Sequence, residues 1–284
     1  MTVHTPAWYD EQYNSRARIP DHPSILQHWA DASAGALARH PEMLELAYGA
    51  APREKMDVFP AREKNAPVFV YLHGGYWRAL DKRDHSFVAP PMVDAGALVV
   101  LPDYSLCPQV TVEHIVLQTV RALWWVHRHA ADHGGDPRRI VVAGHSAGGH
   151  LATMMLACRW QQVHPDLPPD LVKAALSVSG LYELEAMRHT PFLAAELGLT
   201  ASSAPRLCPP WMPPPAGQLA VVVGGDESEE FHRQATLNRE NWGTKVVASE
   251  VVAGRNHMDV LHELARPGSN THRLALDLLG LRAS

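Results

Sequence analysis

Arg139–Ala152 reads RIVVAGHSAGGHLA, an apolar β-branched run that breaks into a glycine turn and reopens as a helix-forming stretch. Inside it Gly144-His145-Ser146-Ala147-Gly148 has the pattern Gly-x-Ser-x-Gly. In a chain with 19 glycines that spacing could arise by chance, so its flanks decide. A strand on one side and a helix from about Gly148 on the other form the context in which such a serine stands at a sharp strand-to-helix bend. The bend strains the serine backbone and is tolerated only if the residues two before and two after it are too small to clash. Gly144 and Gly148 meet that need. The helix start behind the turn favours developing negative charge. Ser146 is therefore the candidate nucleophile.

Working outward, Val68–Leu72 and Val99–Leu101 read as buried strands, the second stopping at Pro102, and MDVFPA as a short one. LVKAALSVSG, QLAVVVGGDE and TKVVASEVVAG supply three more. Between them lie helical patterns over 111–132, after the serine turn, and in the C-terminal THRLALDLLG. The first fifty residues read as helical throughout, to the end of HPEMLEL. Strands alternating with helices imply a mostly parallel twisted sheet covered on both faces. Residues 181–215, rich in Ala and Pro, break the alternation and read as a cap-like insertion. We expect a single domain over 1–284, with the helical segment 1–50 contributing to the cap. CPPWMPPP within the insertion reads as a rigid connector.

Bulk composition narrows the function. Of 284 residues 46% are hydrophobic and 19% charged, with a net charge of −5 and acids outnumbering scattered bases, which argues against a nucleic-acid partner. No segment approaches the roughly 20 apolar residues that span a bilayer, and the first twenty lack a signal-peptide core, so a cytoplasmic protein without membrane contact is expected. Cys107, Cys158 and Cys208 fit neither a disulfide framework nor a zinc site and read as free thiols. The 18 histidines show no ligand spacing, so neither metal nor cofactor is expected.

A serine nucleophile needs a base, an acid and an oxyanion site. His73-Gly74-Gly75-Tyr76-Trp77 ends the strand VFVYL, where a glycine pair lets the backbone turn its N–H groups toward a substrate oxygen. Gly75, Tyr76 and Ala147 are the expected donors. The order serine, acid, histidine predicts a carboxylate after the next-to-last strand and a histidine after the last. His257, in RNHMD after ASEVVAG, fills the second place; His262, a turn further on, reads as structural. For the acid, Asp226 and Glu227 stand side by side after VVVGG and either would serve. Glu229 and Glu230 read as solvated first-turn charges of the helix that follows.

The set HGGYW, PDYSLCP, GHSAGGHLA, SGLYELEAMRHTPFLAAELGLT, VGGDESEEFHRQ and NHMDV resembles the α/β-hydrolase family of kynurenine formamidases (arylformamidases) and hormone-sensitive-lipase-like bacterial carboxylesterases. The resemblance runs from WYDEQYNSRARIPDHP through most of the chain and implies the α/β-hydrolase fold. Laid on the family pattern Gly-x-x-Asp-Ser-Pro-Glu-Phe, GGDESEEF puts Glu227 at the acid position, with Asp226 second. Glu there departs from the commoner Asp, and Glu229 from the usual Pro. The resemblance implies acyl transfer without a cofactor on a small-molecule ester or formamide. A carboxylesterase for small to medium acyl or aryl esters, working as a monomer or homodimer, comes first. An arylformamidase acting on N-formylkynurenine is the alternative, and a catalytically silent binding protein a third. Tyr76 and Trp77, with residues from the N-terminal helices and with Phe192, Leu193 and Trp211 of the insertion, are expected to line the substrate pocket.

Overall fold

The computed structural model describes residues 4–281. Its frame is one sheet of eight strands: β1 (Leu44–Ala47), β2 (Lys55–Phe59), β3 (Ala66–Leu72), β4 (Leu98–Pro102), β5 (Gly135–His145), β6 (Val172–Val178), β7 (Gln218–Gly224) and β8 (Val246–Val252). They stand in the order β1-β2-β4-β3-β5-β6-β7-β8. From β4 to β8 every pairing is parallel, and only β1–β2 and β2–β4 are antiparallel.

Alternation along the central strands feeds two cores. Val68, Val70, Leu72, Ile140 and Val142 belong to one, and Phe69, Tyr71, Val141 and Ala143 to the other. Strands buried on both faces in this way read as continuous apolar runs, which is why they stood out in the sequence. Parallel strands also bring their carboxyl ends to one edge, where open α/β sheets hold their ligands. At that edge Leu72 pairs with Gly144, His145 with Val178 and Gly224 with Val252.

The N-terminal reading needs one correction. The helix His22–Arg39 stops before His40, and residues read as its continuation form the edge strand β1. Pro41 is the cause: a proline disfavours helical backbone at the residue before it, and His40 sits at φ −124°, ψ 64°. Residues 181–215 carry the short helices Glu185–Arg188 and Pro191–Leu197 and two 3₁₀ turns. Among the described residues no helix is long and apolar enough to cross a membrane. Cys107 and Cys208 are buried and all three cysteines are free.

Candidate active site

β5 ends at His145, and Ser146 follows at φ 55°, ψ −119°, before the helix Ala147–Ala157 begins. The Ser146 N–H donates to the Val178 carbonyl at 2.9 Å, which holds the turn against β6. A Cβ on Gly144 would run into the Gly148 carbonyl, and one on Gly148 into the Leu72 carbonyl of β3. Only glycine fits either place, so the bend presents Ser146 at the carboxyl edge of the sheet.

Two loops bring partners to it. After β8, His257 Nε2 lies 3.1 Å from Ser146 Oγ. After β7, Glu227 Oε2 lies 2.7 Å from His257 Nδ1. The imidazole Nδ1–H thus donates to the carboxylate, leaving Nε2 to accept from the serine hydroxyl. The other carboxylate oxygen of Glu227 accepts from the Gly224 N–H at 2.7 Å and from the Ser179 hydroxyl. The His257 ring is gripped by Phe231 at 4.3 Å and His145 at 4.9 Å between centroids. Asp226 is exposed and turns away; its N–H donates to the Arg255 carbonyl. His262 accepts from the Trp29 indole at 2.9 Å, clear of the serine, and burial pushes its pKa down to about 4.

The HGG turn is anchored from behind. His73 stacks on Tyr104 at 4.0 Å and bonds Asp103 through Nε2, while the Tyr104 hydroxyl donates to the His73 carbonyl. Gly75, Tyr76 and Trp77 have φ of 108°, 50° and 56°, a run of left-handed backbone that turns their N–H groups out of any strand ladder. Among the described residues the N–H groups of Gly75, Tyr76 and Ala147 donate to no protein acceptor. Ser146, Gly75 and Tyr76 share one cavity of about 480 Å³.

That cavity is also lined by Asn14, Ser15, Arg16, Leu26 and Trp29 from the N-terminal segment, and by Arg78, Phe192 and Glu196. Phe192 meets Tyr76 edge-on at 5.8 Å, and the Arg78 guanidinium, paired with Glu196, lies 5.5 Å over the Phe192 ring. Arg16 is exposed and has no ion-pair partner among the described residues. Trp77, expected in the pocket, is instead fully buried in the core, edge-on to His150 at 5.1 Å. The left-handed run sends successive side chains to opposite sides, so Tyr76 faces the cavity and Trp77 the core. Trp211 is 47% exposed on a proline-held 3₁₀ turn and does not reach the cavity; Leu193 is buried in the core.

Glu230 also departs from expectation, because it is buried. It accepts from the Tyr13 hydroxyl at 2.5 Å and from Arg233 at 2.8 and 2.9 Å. Burial alone would raise its carboxyl, but these donors outweigh it and hold the group below its usual value. With the Tyr76 hydroxyl donating to the Tyr13 carbonyl at 2.5 Å, they dock the helix Pro6–Tyr13 beside the site. That the N-terminal helices contribute lining is as expected, but local sequence could not identify which residues do so, since that docking is made across the chain. Ser179 could have been found from its place at the carboxyl end of β6. Among the described residues no group of three or more His, Cys, Asp and Glu side chains comes together as a metal-binding set.

Comparison with known proteins agrees with this geometry. A family model described as the α/β hydrolase fold matches residues 69–208. A kynurenine formamidase of Danio rerio is 31% identical over 248 residues, covering 84% of this chain and 82% of that protein. A carboxylesterase of Mycobacterium tuberculosis is 43% identical over 97 residues, 34% of this chain and 30% of that protein. Among solved structures, a candidate thioesterase from Silicibacter sp. TM1040 superposes with a TM-score of 0.82 at 29% identity, covering 97% of this chain and 98% of that one.

Proposed function

Because this chain belongs to the α/β hydrolase family that contains the kynurenine formamidases, we propose that it is a serine acyl hydrolase working through an acyl-enzyme, with Ser146, His257 and Glu227 as its triad. The observation that carries the reading is the relay at the cavity floor, 3.1 Å from serine to imidazole and 2.7 Å from imidazole to carboxylate. As Ser146 Oγ attacks the substrate carbonyl carbon, its proton passes to His257 Nε2 and the carbonyl oxygen becomes an oxyanion. The N–H groups of Gly75, Tyr76 and Ala147 receive that charge. The tetrahedral species collapses, the imidazolium protonates the departing amine or alcohol, and the acyl group stays on Ser146. Water then repeats the sequence, releasing the acid and restoring the serine. Glu227 holds the imidazole in the tautomer this needs and stabilises its charged form. We take the N-terminal helices and the 181–215 insertion as the cap that roofs the cavity.

Two features favour an aryl formamide as the substrate. Relatives that match most of the chain include kynurenine formamidases. The cavity combines aromatic and aliphatic walls from Tyr76, Phe192, Trp29 and Leu26 with Arg16 at its edge, a cation with no ion-pair partner among the described residues, suited to an aromatic substrate bearing a carboxylate. The second reading, a carboxylesterase for small acyl or aryl esters, is favoured by the similarity to the shorter esterase segment.

Side-by-side kcat/KM on p-nitrophenyl acetate, p-nitrophenyl butyrate and N-formylkynurenine tests the proposal. We expect the formamide to lead by a hundredfold or more; a lead for the esters returns the second reading, and turnover of none removes the hydrolase assignment. In Arg16→Met the formamide KM should rise by about tenfold, the effect of losing one charge-assisted contact, with the neutral esters unchanged. An equal loss on all three would remove Arg16 as the carboxylate partner.

A further inference from the structure

His145, between Gly144 and Ser146, takes no part in the proton relay. The residue is only 3% exposed, and its ring lies between Trp29, edge-on at 6.0 Å, and His257 at 4.9 Å. His145 Nε2 stands 2.6 Å from the backbone carbonyl oxygen of His257. A carbonyl can only accept, so Nε2 carries the hydrogen. Burial drives the His145 pKa well below its usual value, and the neighbouring His257, His85 and His262 push the same way, so the ring is neutral. Its other edge faces Gly74, where a Cβ would stand 3.2 Å from Nδ1. A larger residue at position 74 would crowd the ring.

Apart from the Asp226 N–H of the loop after β7, which donates to the Arg255 carbonyl at 2.9 Å, the loop carrying His257 is shaped from within. Asn256 Oδ1 accepts from the Met258 and Asp259 N–H groups at 2.9 and 3.0 Å, and Asp259 Oδ1 accepts from the Asn256 N–H at 2.7 Å. Those bonds set the loop's curvature without fixing where it stands over the serine. Among the described residues the His257 carbonyl has no partner except His145. One buried bond therefore ties the loop of the base to the turn of the nucleophile.

We propose that His145 is a positioning residue: by clamping the His257 carbonyl to the elbow, it fixes the distance from His257 Nε2 to Ser146 Oγ. This rests on the reading of Ser146 as nucleophile and His257 as base. Its leverage is geometric, since a misplacement of about 1 Å can cost about a hundredfold in rate. Without the clamp the buried carbonyl is also left unsatisfied, which favours movement of the loop.

The test compares His145→Gln, His145→Asn and His145→Leu on whichever substrate the native enzyme turns over best. The Gln amide nitrogen reaches about as far as Nε2 of the imidazole, whereas the Asn amide stops near Nδ1. Gln should keep kcat within about threefold of native, while Asn and Leu should lose about ten- to a hundredfold, with KM within about twofold in all three. Native kcat in His145→Asn would overturn the proposal. So would a loss in Gln equal to that in Leu, which marks a space-filling role. Should Leu fail to fold, as its thermal midpoint would reveal, the Gln and Asn pair still decides. Ser146→Ala, run alongside, keeps the two readings separate: native activity there removes the nucleophile assignment, whereas full loss there together with native kcat in His145→Asn removes only the clamp.

Discussion

Ser146→Ala is expected to lower kcat by about 10⁵-fold or more and to abolish labelling by a fluorophosphonate probe that marks the native protein. The magnitude follows from what the elbow assembles. Its backbone, at φ 55°, is held by the Val178 carbonyl and by two glycine positions where no side chain fits. It places the hydroxyl 3.1 Å from its base. Alanine keeps the turn, the cavity and the N–H groups of Gly75, Tyr76 and Ala147, and removes the one atom that can form the acyl bond. His257→Ala should fall by a similar factor, and the double variant hardly further, because nucleophile and base act as one unit and their losses do not add. Thermal midpoints should stay near native in Ser146→Ala, which separates lost chemistry from lost fold. Labelling of Ser146→Ala at the native rate would move the nucleophile to another residue.

The bend that presents Ser146 could be read from sequence because its cause is local. A β-branched run, two obligatory glycines and an apolar helix lie within one short stretch, and parallel pairing then forces the partners to the same edge. The features that could not be read are non-local. Strand β1 was hidden because MLEL continues an apolar helical spacing, and only Pro41 and the antiparallel partner β2 break it. Trp77 is not in the cavity because the left-handed turn puts it on the side opposite Tyr76, and that conformation leaves no trace in the HGGYW letters beyond the glycine pair. Trp211 looked like a pocket residue because it is aromatic and lies in the insertion, yet its turn points it to solvent. Glu230 looked like a surface charge because Tyr13, more than two hundred residues away in sequence, is what covers it. The cavity wall from Asn14 to Trp29 depends on that same docking and has no local signature.

Adjacent residues pose the sharpest case, since Asp226 and Glu227 were equivalent by chemistry and separable only by family pattern or by geometry. Glu227→Gln should lower kcat by about 10³- to 10⁴-fold, and Asp226→Asn should leave it within about threefold. The direction of the backbone after β7 makes the difference. The Gly224 N–H reaches Oε1 of Glu227, the Ser179 hydroxyl bonds the same oxygen, and Oε2 is left aimed at His257 Nδ1. Asp226 spends its own N–H on the Arg255 carbonyl and sends its side chain into solvent. A Gln amide at 227 can keep one acceptor, but its NH₂ group must then face either the Nδ1–H of His257 or the Gly224 and Ser179 donors. The first drives the imidazole to the tautomer that cannot accept the serine proton; the second sets the amide against the Gly224 N–H and leaves no negative charge to stabilise the imidazolium. Because Glu227 is buried, solvent cannot relieve that conflict. Glu227→Asp discriminates further: it keeps the charge but retracts the oxygens by about one methylene, so it should recover part of the loss, whereas Gln, which keeps the length, should not. If Asp226→Asn instead showed the larger loss, the acid would have to be reached by a rearranged loop.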